Sequence, residues 1–297
     1  MAGQRKWSRR LAALVFLLPA LAGLLAFQLL PMVSSVVISF TDWDMIAKWT
    51  DMRFIGWDNY AAVFREEKSY TSLKNVFVFL IGYMPLVTAL GTFLAVLLNR
   101  KIRAIKLYRA AVFVPVITSW VAVSIVWRWL LNGQSGLINF LLSKIGIHGP
   151  IWLQDDTWAM VSIIAVTVWK DIGFVSVILL AGLQDISEDY YEAAELDGAS
   201  AWLKFRRITL PMLSPTLYFV VTISLINSFQ LFDQVLIMTN GGPAGATSTL
   251  VEQVYKNAFQ FNKMGFAAAQ SWVLFVIIFA VSMLLQRLQR RWVVYER

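Results

Sequence analysis

Long runs without charge dominate this chain. No Asp, Glu, Lys or Arg occurs from Leu11 to Thr41, and five more apolar runs, four of them equally free of charge, follow before the C-terminus. A bilayer core takes about 20 apolar residues per helix, and only a helix or a closed barrel satisfies its own backbone polar groups in lipid. The pattern predicts an all-α membrane protein with six transmembrane helices, at about 11–41, 75–99, 108–131, 157–184, 208–236 and 264–286. Lys170 and Asp171 alone interrupt the fourth. Pro19 and Pro31 inside the first are tolerable, because neighbouring helices and water re-satisfy the freed carbonyls. With 58% hydrophobic and 15% charged residues, the chain lacks the polar surface of a soluble domain of this size.

Lysine and arginine placement orients the helices. Sixteen lie at the two ends and in the loops after helices two and four, against eight in the alternate loops. Both termini are therefore expected in the cytoplasm. In this pattern the net charge of +8 reads as a topology signal, not as a nucleic-acid surface, so no nucleic-acid partner is expected. Arg5, Lys6, Arg9 and Arg10 before the first apolar run could open a secretory signal. The run is too long for that and lacks a small-residue cleavage site, so a retained helix is expected. The alternate loops carry Trp43, Trp49, Trp57 and Trp152, in keeping with interfacial anchors, the role expected of most of the thirteen tryptophans. No loop is long enough to fold alone, leaving one transmembrane domain over 1–297. The absence of cysteine excludes disulfides and thiolate sites, and a single histidine, His148, argues against a zinc cluster.

The loop over 185–211 is polar and ordered in pattern. Ser187 can cap a helix whose first turn carries Glu188 and Asp189. Gly198 after Asp197 suits a left-handed stop, and Ser200 can cap a second short helix ending in Lys204, Arg206 and Arg207. Pro211 marks the start of the next span. Two short helices with a sharp turn, acidic first and basic second, form a docking element rather than a helix lying on anionic headgroups.

Within that loop Glu192-Ala193-Ala194, Gly198 and Ile208-Thr209-Leu210-Pro211 resemble the EAA loop of permease subunits of binding-protein-dependent ABC importers. Further motifs follow the same family: Gly56-Trp57 with Asn59-Tyr60, Gly136-Leu-Ile-Asn139, Thr239-Asn-Gly-Gly-Pro243 and Ala267-Ala-Ala269. The likeness extends over nearly the whole chain, on the side of the six-helix relatives of maltose and glycerol-phosphate permeases. It implies a type I ABC importer permease fold in a bacterial inner membrane and transport of a carbohydrate: an oligosaccharide, polyol or sugar derivative. The implied partners are a second, homologous permease, two ATPase subunits, an extracytoplasmic solute-binding protein and membrane lipid. Glu192, Ala193, Ala194, Asp197, Gly198, Ile208, Leu210 and Pro211 would couple to the ATPase, Glu192 by pairing with a basic residue. No cofactor is expected in this chain. It has no G-x-x-x-x-G-K-[ST] to cradle phosphates, so ATP and Mg would bind the partner and the chain is not expected to be an enzyme.

Charges inside the membrane are expensive and point to function. Lys170 and Asp171 are adjacent, about 100° apart around their helix, and are not expected to face one another. Asp233 falls at the outer end of helix five near Asn227, Gln230 and Gln234. A gap-free alignment to the maltose permease through Trp169, Glu192 and Asn240 places that family member's sugar-lining positions on Thr167, Lys170, Asp171, Phe174, Ser224, Ser228 and Leu231. These residues, with Asn227, are the expected substrate pathway. Lys170 leaves glycerol phosphate or another anionic sugar derivative open as the solute. Arg128 reads as snorkelling at the outer interface, and His148 as a solvated turn residue. Two other classes compete. A secondary transporter would show inverted repeats and ion ligands, and a membrane-embedded enzyme would show convergent carboxylates or histidines. Neither pattern stands out.

Overall fold

The computed structural model describes residues 14–100 and 103–294. The N-terminal basic residues Arg5, Lys6, Arg9 and Arg10, the start of the expected first helix, Lys101 and Arg297 lie outside them. The described residues are helical, with no strand beyond one isolated bridge between Thr41 and Phe54. Four helices are long and apolar enough to cross a membrane, and two further pairs reach that length only as bent units.

The chain divides into two compact units. The first holds residues up to Arg65 and Val254–Val273. Its helix α1 (Leu14–Ser39) turns its most apolar stretch outward with nothing buried, as a lipid-facing helix does. After it, Gly56 at φ +59° turns the chain into α2 (Asp58–Arg65). The Asn59 amide donates to the carbonyls of Ser39 and Thr41 at 2.9 and 2.8 Å, capping the orphan acceptors at the end of α1. Gly265 packs so closely on the Thr41 carbonyl that a Cβ there would overlap it. Trp272 Nε1 donates to Ser35 Oγ at 3.2 Å.

The second unit, Glu66–Gln253 and Leu274–Arg297, holds the rest. Helix α3 (Glu67–Leu98) starts eight residues before the expected 75 and continues through Pro85. After it come α4 (Ile105–Ile117), α5 (Trp120–Leu130), α6 (Leu137–Lys144) and α7 (Asp156–Gln184). Then follow α8 (Glu188–Leu196), α9 (Ala201–Met212), α10 (Ser214–Phe229) and α11 (Asp233–Met238). Helix α12 (Leu250–Tyr255) crosses the boundary between the units, as does α13 (Met264–Gln289). Helix α3 packs along α7, with Phe79, Tyr83, Val87, Ile163 and Leu179 fully buried between them. Small residues permit the approach: a Cβ on Gly82 would press on Ile164, and one on Gly91 on Val175. Helix α4 lies on α7 where a Cβ on Gly173 would strike the Val112 carbonyl.

Two expected spans are not single helices. The third, placed at 108–131, breaks at Thr118–Ser119, and its halves α4 and α5 meet at 95°. Pro115 sits three residues before the break; it has no N–H to donate and its ring crowds the preceding turn. The fifth, placed at 208–236, is three pieces. Helix α9 runs from Ala201 straight through Pro211, the 65° bend follows it at Leu213, and the chain breaks again before Asp233. The short second helix of the loop and the start of the span are therefore one element. Pro31 and Pro211 are accommodated alike. Each lies two residues after a π turn, Leu25–Leu29 and Phe205–Thr209, whose i→i−5 bonds make room where a regular helix would crowd the ring.

Candidate functional site

Where α3, α7, α10 and α11 converge, with the start of α5, they enclose a cavity of about 210 Å³. Its polar lining comes from Thr167 and Asp171 on α7, Asn227 and Ser228 on α10, and Gln230, Asp233 and Gln234 around the second break. Phe79, Tyr83, Trp120 and Phe232 supply aromatic walls and Leu231 an aliphatic one. The break between α10 and α11 is what allows this convergence. A continuous helix would distribute residues 227–234 around its circumference.

The hydrogen bonds in this cavity are unevenly spent. Tyr83 donates its hydroxyl to Asp171 Oδ2 at 2.8 Å. Thr167 and Ser228 donate to the Ile163 and Ser224 carbonyls one turn back, at 2.7 Å each. Their lone pairs stay available. The Gln234 side chain, only 6% exposed, lines the cavity and makes no hydrogen bond to any described residue. A second cavity, of about 560 Å³, lies along α3, α9 and α10, lined by Met84, Phe93, Leu210, Leu217 and similar groups, with two threonines as its only polar side chains. It is larger, but a hydrated solute would find almost nothing there to replace its water.

Of the expected pathway residues, Thr167, Asp171, Asn227, Ser228 and Leu231 meet in the polar cavity. Lys170, Phe174 and Ser224 are not in its lining. Lys170 points the other way. Its ammonium donates to the Val116 carbonyl at 3.1 Å and lies 4.6 Å from the centre of the Trp120 ring. It thus caps the carbonyl end of α4 at the break and braces a tryptophan that walls the cavity. Ser224 is buried behind the site, where its carbonyl takes the Ser228 bond. Phe174 is 38% exposed and faces away.

The loop after α7 is a tight hairpin of α8 and α9. Ser187 Oγ accepts from the N–H of Asp189, and Ser200 Oγ from that of Leu203, both at 3.3 Å. Gly198 sits at φ +74° with open space around it. The N–H groups of Gly198 and Ala199 close on the Glu195 and Ala194 carbonyls at 3.0 and 2.9 Å, a Schellman-type stop. A Lys204–Glu195 ion pair and a 3.0 Å bond between the Tyr191 and Thr209 hydroxyls join the two helices. Two large apolar side chains remain outward among exposed acidic residues: Leu196 is 91% exposed and Trp202 68%. Glu192 stands exposed beside them with no partner among the described residues. Ala193 and Ala194 share its helix, and Asp197 ends it. Ile208, Leu210 and Pro211 lie farther along α9.

The model of binding-protein-dependent transport system inner membrane components matches residues 4–294. The chain belongs to this family. The permease is 36% identical over 291 residues to the probable ABC transporter permease YesP of Bacillus subtilis, covering 96% of this chain and 93% of YesP. It is 35% identical to the lactose transport permease LacF of Rhizobium radiobacter, covering 91% of each. To the arabinooligosaccharide transport permease AraP of Bacillus subtilis it is 30% identical, covering 94% of this chain and 88% of AraP. Among solved structures, a chain of a bacterial ABC transporter that imports the acidic polysaccharide alginate superposes with a TM-score of 0.86 over 98% of the permease and 99% of that chain, at 23% identity. That likeness fixes the type I importer fold. The permease is a multi-pass membrane subunit and not the ATPase of its transporter, since hydrolysis belongs to partner subunits.

The family motifs have structural work to do in this permease. Asn139 donates to the Gly133 and Pro150 carbonyls at 2.8 and 3.1 Å and accepts from Trp152 Nε1 at 2.7 Å, tying one loop together. Asn75 on α3 donates to the Gly245 and Ser248 carbonyls at 2.8 and 3.0 Å, fixing the loop that opens with Thr239-Asn-Gly-Gly-Pro243. Arg128 donates to the Ile237 carbonyl near the end of α11 at 3.3 Å, so it anchors backbone as well as reaching outward. His148 is exposed. The cavity residues that sequence reasoning missed were Trp120, Tyr83, Phe79 and Phe232. Nothing in the sequence sets Trp120 apart from the other membrane tryptophans except its place just after Pro115, where the break turns it inward.

Proposed function

We propose that this permease imports a carbohydrate across a bacterial cytoplasmic membrane, as half of a translocation path shared with a second, homologous permease. The lining of the polar cavity carries the reading. Hydroxyls, amides and carboxylates beside aromatic faces are the groups that bind sugar hydroxyls and stack on sugar rings. The lactose and arabinooligosaccharide systems of its relatives support the same solute class. Both termini lie in the cytoplasm in this reading, following the lysine and arginine bias, so the α8–α9 hairpin faces two ATPase subunits that bind ATP and Mg. Glu192 then pairs with a basic ATPase residue. Ala193 and Ala194 keep that face of α8 low, and Asp197 and Gly198 shape the turn. Ile208, Leu210 and Pro211 carry the movement into the span. An extracytoplasmic binding protein delivers the solute to the opposite side.

The test is reconstitution of the assembled importer in vesicles with its binding protein. Glu192→Lys is expected to abolish copurification of the ATPase or uncouple it, and Trp120→Ala to lower uptake with the ATPase still bound. An ATPase that stays bound and coupled in Glu192→Lys overturns the docking role. Unchanged uptake in Trp120→Ala overturns the cavity as path.

A further inference from the structure

The polar cavity has a one-sided charge. Two carboxylates line it, Asp171 and Asp233, and among the described residues no lysine, arginine or histidine does. Lys170 acts on Asp171 through its charge but stands outside the lining, its ammonium held by the Val116 carbonyl and the Trp120 ring, and Arg128 is held by the Ile237 carbonyl. Free hydrogen-bonding capacity in the cavity is of two kinds. Asp233 and the Oδ1 atom of Asp171 have no bond to a described residue and can only accept. The buried Gln234 amide is equally unengaged and can donate or accept.

We infer that this permease's share of the path accepts uncharged, hydroxyl-rich carbohydrate and turns away solutes bearing carboxylate or phosphate. A sugar brings hydroxyl donors, which match acceptor-only carboxylates, often two adjacent hydroxyls to one carboxylate. A uronate or phosphate ester brings further acceptor-only oxygens and negative charge to a site whose carboxylates already repel it. Nothing in the lining supplies the cation such a group requires when it leaves water. The inference rests on the cavity being the solute path.

The test does not need the natural solute, because the chain has no cysteine. Asn227→Cys places one thiol in the cavity of the assembled importer, with partner cysteines replaced; Ser228→Cys is the second variant should the first fail to assemble. Thiol modification rates are measured with a cationic methanethiosulfonate (ethyltrimethylammonium) and an anionic one (ethylsulfonate), at rest and during ATP turnover with the binding protein. The expected cation-to-anion rate ratio exceeds that of free 2-mercaptoethanol by about tenfold or more, the scale on which charged clefts concentrate ions. Adding Asp171→Asn and Asp233→Asn is expected to return it to the free-thiol value. A ratio at or below the free-thiol value, or one that survives both neutralisations, overturns the charge inference while leaving the path in place. Modification that is indifferent to turnover overturns the path reading and the inference with it.

Discussion

Alanine at Gly198 would test the hairpin in a way that separates its own shape from what it touches. The residue sits at φ +74°, where an L-residue costs about 1–2 kcal/mol. A Cβ there meets nothing within 4 Å, so no steric cost inside the chain adds to that figure. At 1.4 kcal/mol per tenfold, the hairpin should hold its native turn about 5–30 times less well. Because the segment is exposed, the effect should be local. Hydrogen exchange at Gly198 and Ala199, whose N–H groups close the turn on Glu195 and Ala194, should accelerate by that factor in the isolated permease, with its melting temperature nearly unchanged. Gly198→Asn should accelerate it less, since asparagine visits the left-handed region more readily. In the full importer, ATPase stimulation by loaded binding protein reports the rest. A loss in Gly198→Ala well beyond 30-fold means the added methyl meets the partner as well as straining the turn. Exchange in Gly198→Ala equal to wild type would refute the argument at its root.

Other perturbations probe the scaffold of the cavity. Lys170→Met removes a charge-assisted bond worth about 1.5–3 kcal/mol and a cation–π contact of about 0.5–2, offset by no longer burying a charge; thermal stability in detergent should fall and Lys170→Arg should recover part of it. Gly173→Ala drives a methyl into the Val112 carbonyl and should cost about 1–3 kcal/mol by overpacking, whereas Gly23→Ala, with nothing within 4 Å, should leave the same melting curve unchanged or slightly raised. Asn75→Ala strands the Gly245 and Ser248 carbonyls at about 1–3 kcal/mol each, and limited proteolysis of intact vesicles should then cut faster between residues 239 and 249.

Much of this architecture could be read from one dimension because lipid leaves few choices. Charge-free runs place α1, α7 and α13 within a few residues, and the Ser187, Gly198 and Ser200 signals mark the hairpin, since caps and left-handed stops are local events. The breaks at Thr118 and Gln230 are different. Pro115 was visible, but Pro19, Pro31, Pro85 and Pro211 are all accommodated within helices, so a proline alone does not tell a break from a π turn. Direction is equally hidden. Lys170 and Asp171 are neighbours whose side chains part company because one meets the open end of α4 and the other Tyr83, and both partners are distant in sequence. Trp120 reads as one more membrane tryptophan until the 95° bend turns it inward.

The continuity of α9 has a mechanical meaning. At 1.5 Å per residue its twelve residues form a stiff rod about 18 Å long, exposed at the Trp202 end and gripped at the other, where Leu213 is fully buried. The π turn beside Pro211 keeps the rod unbroken to that point. Leu213 then behaves as a fulcrum: a tilt of about 10° would carry the outer end about 3 Å. A small displacement at the hairpin thus arrives at α10 as a change of angle, and α10 bears Asn227 and Ser228.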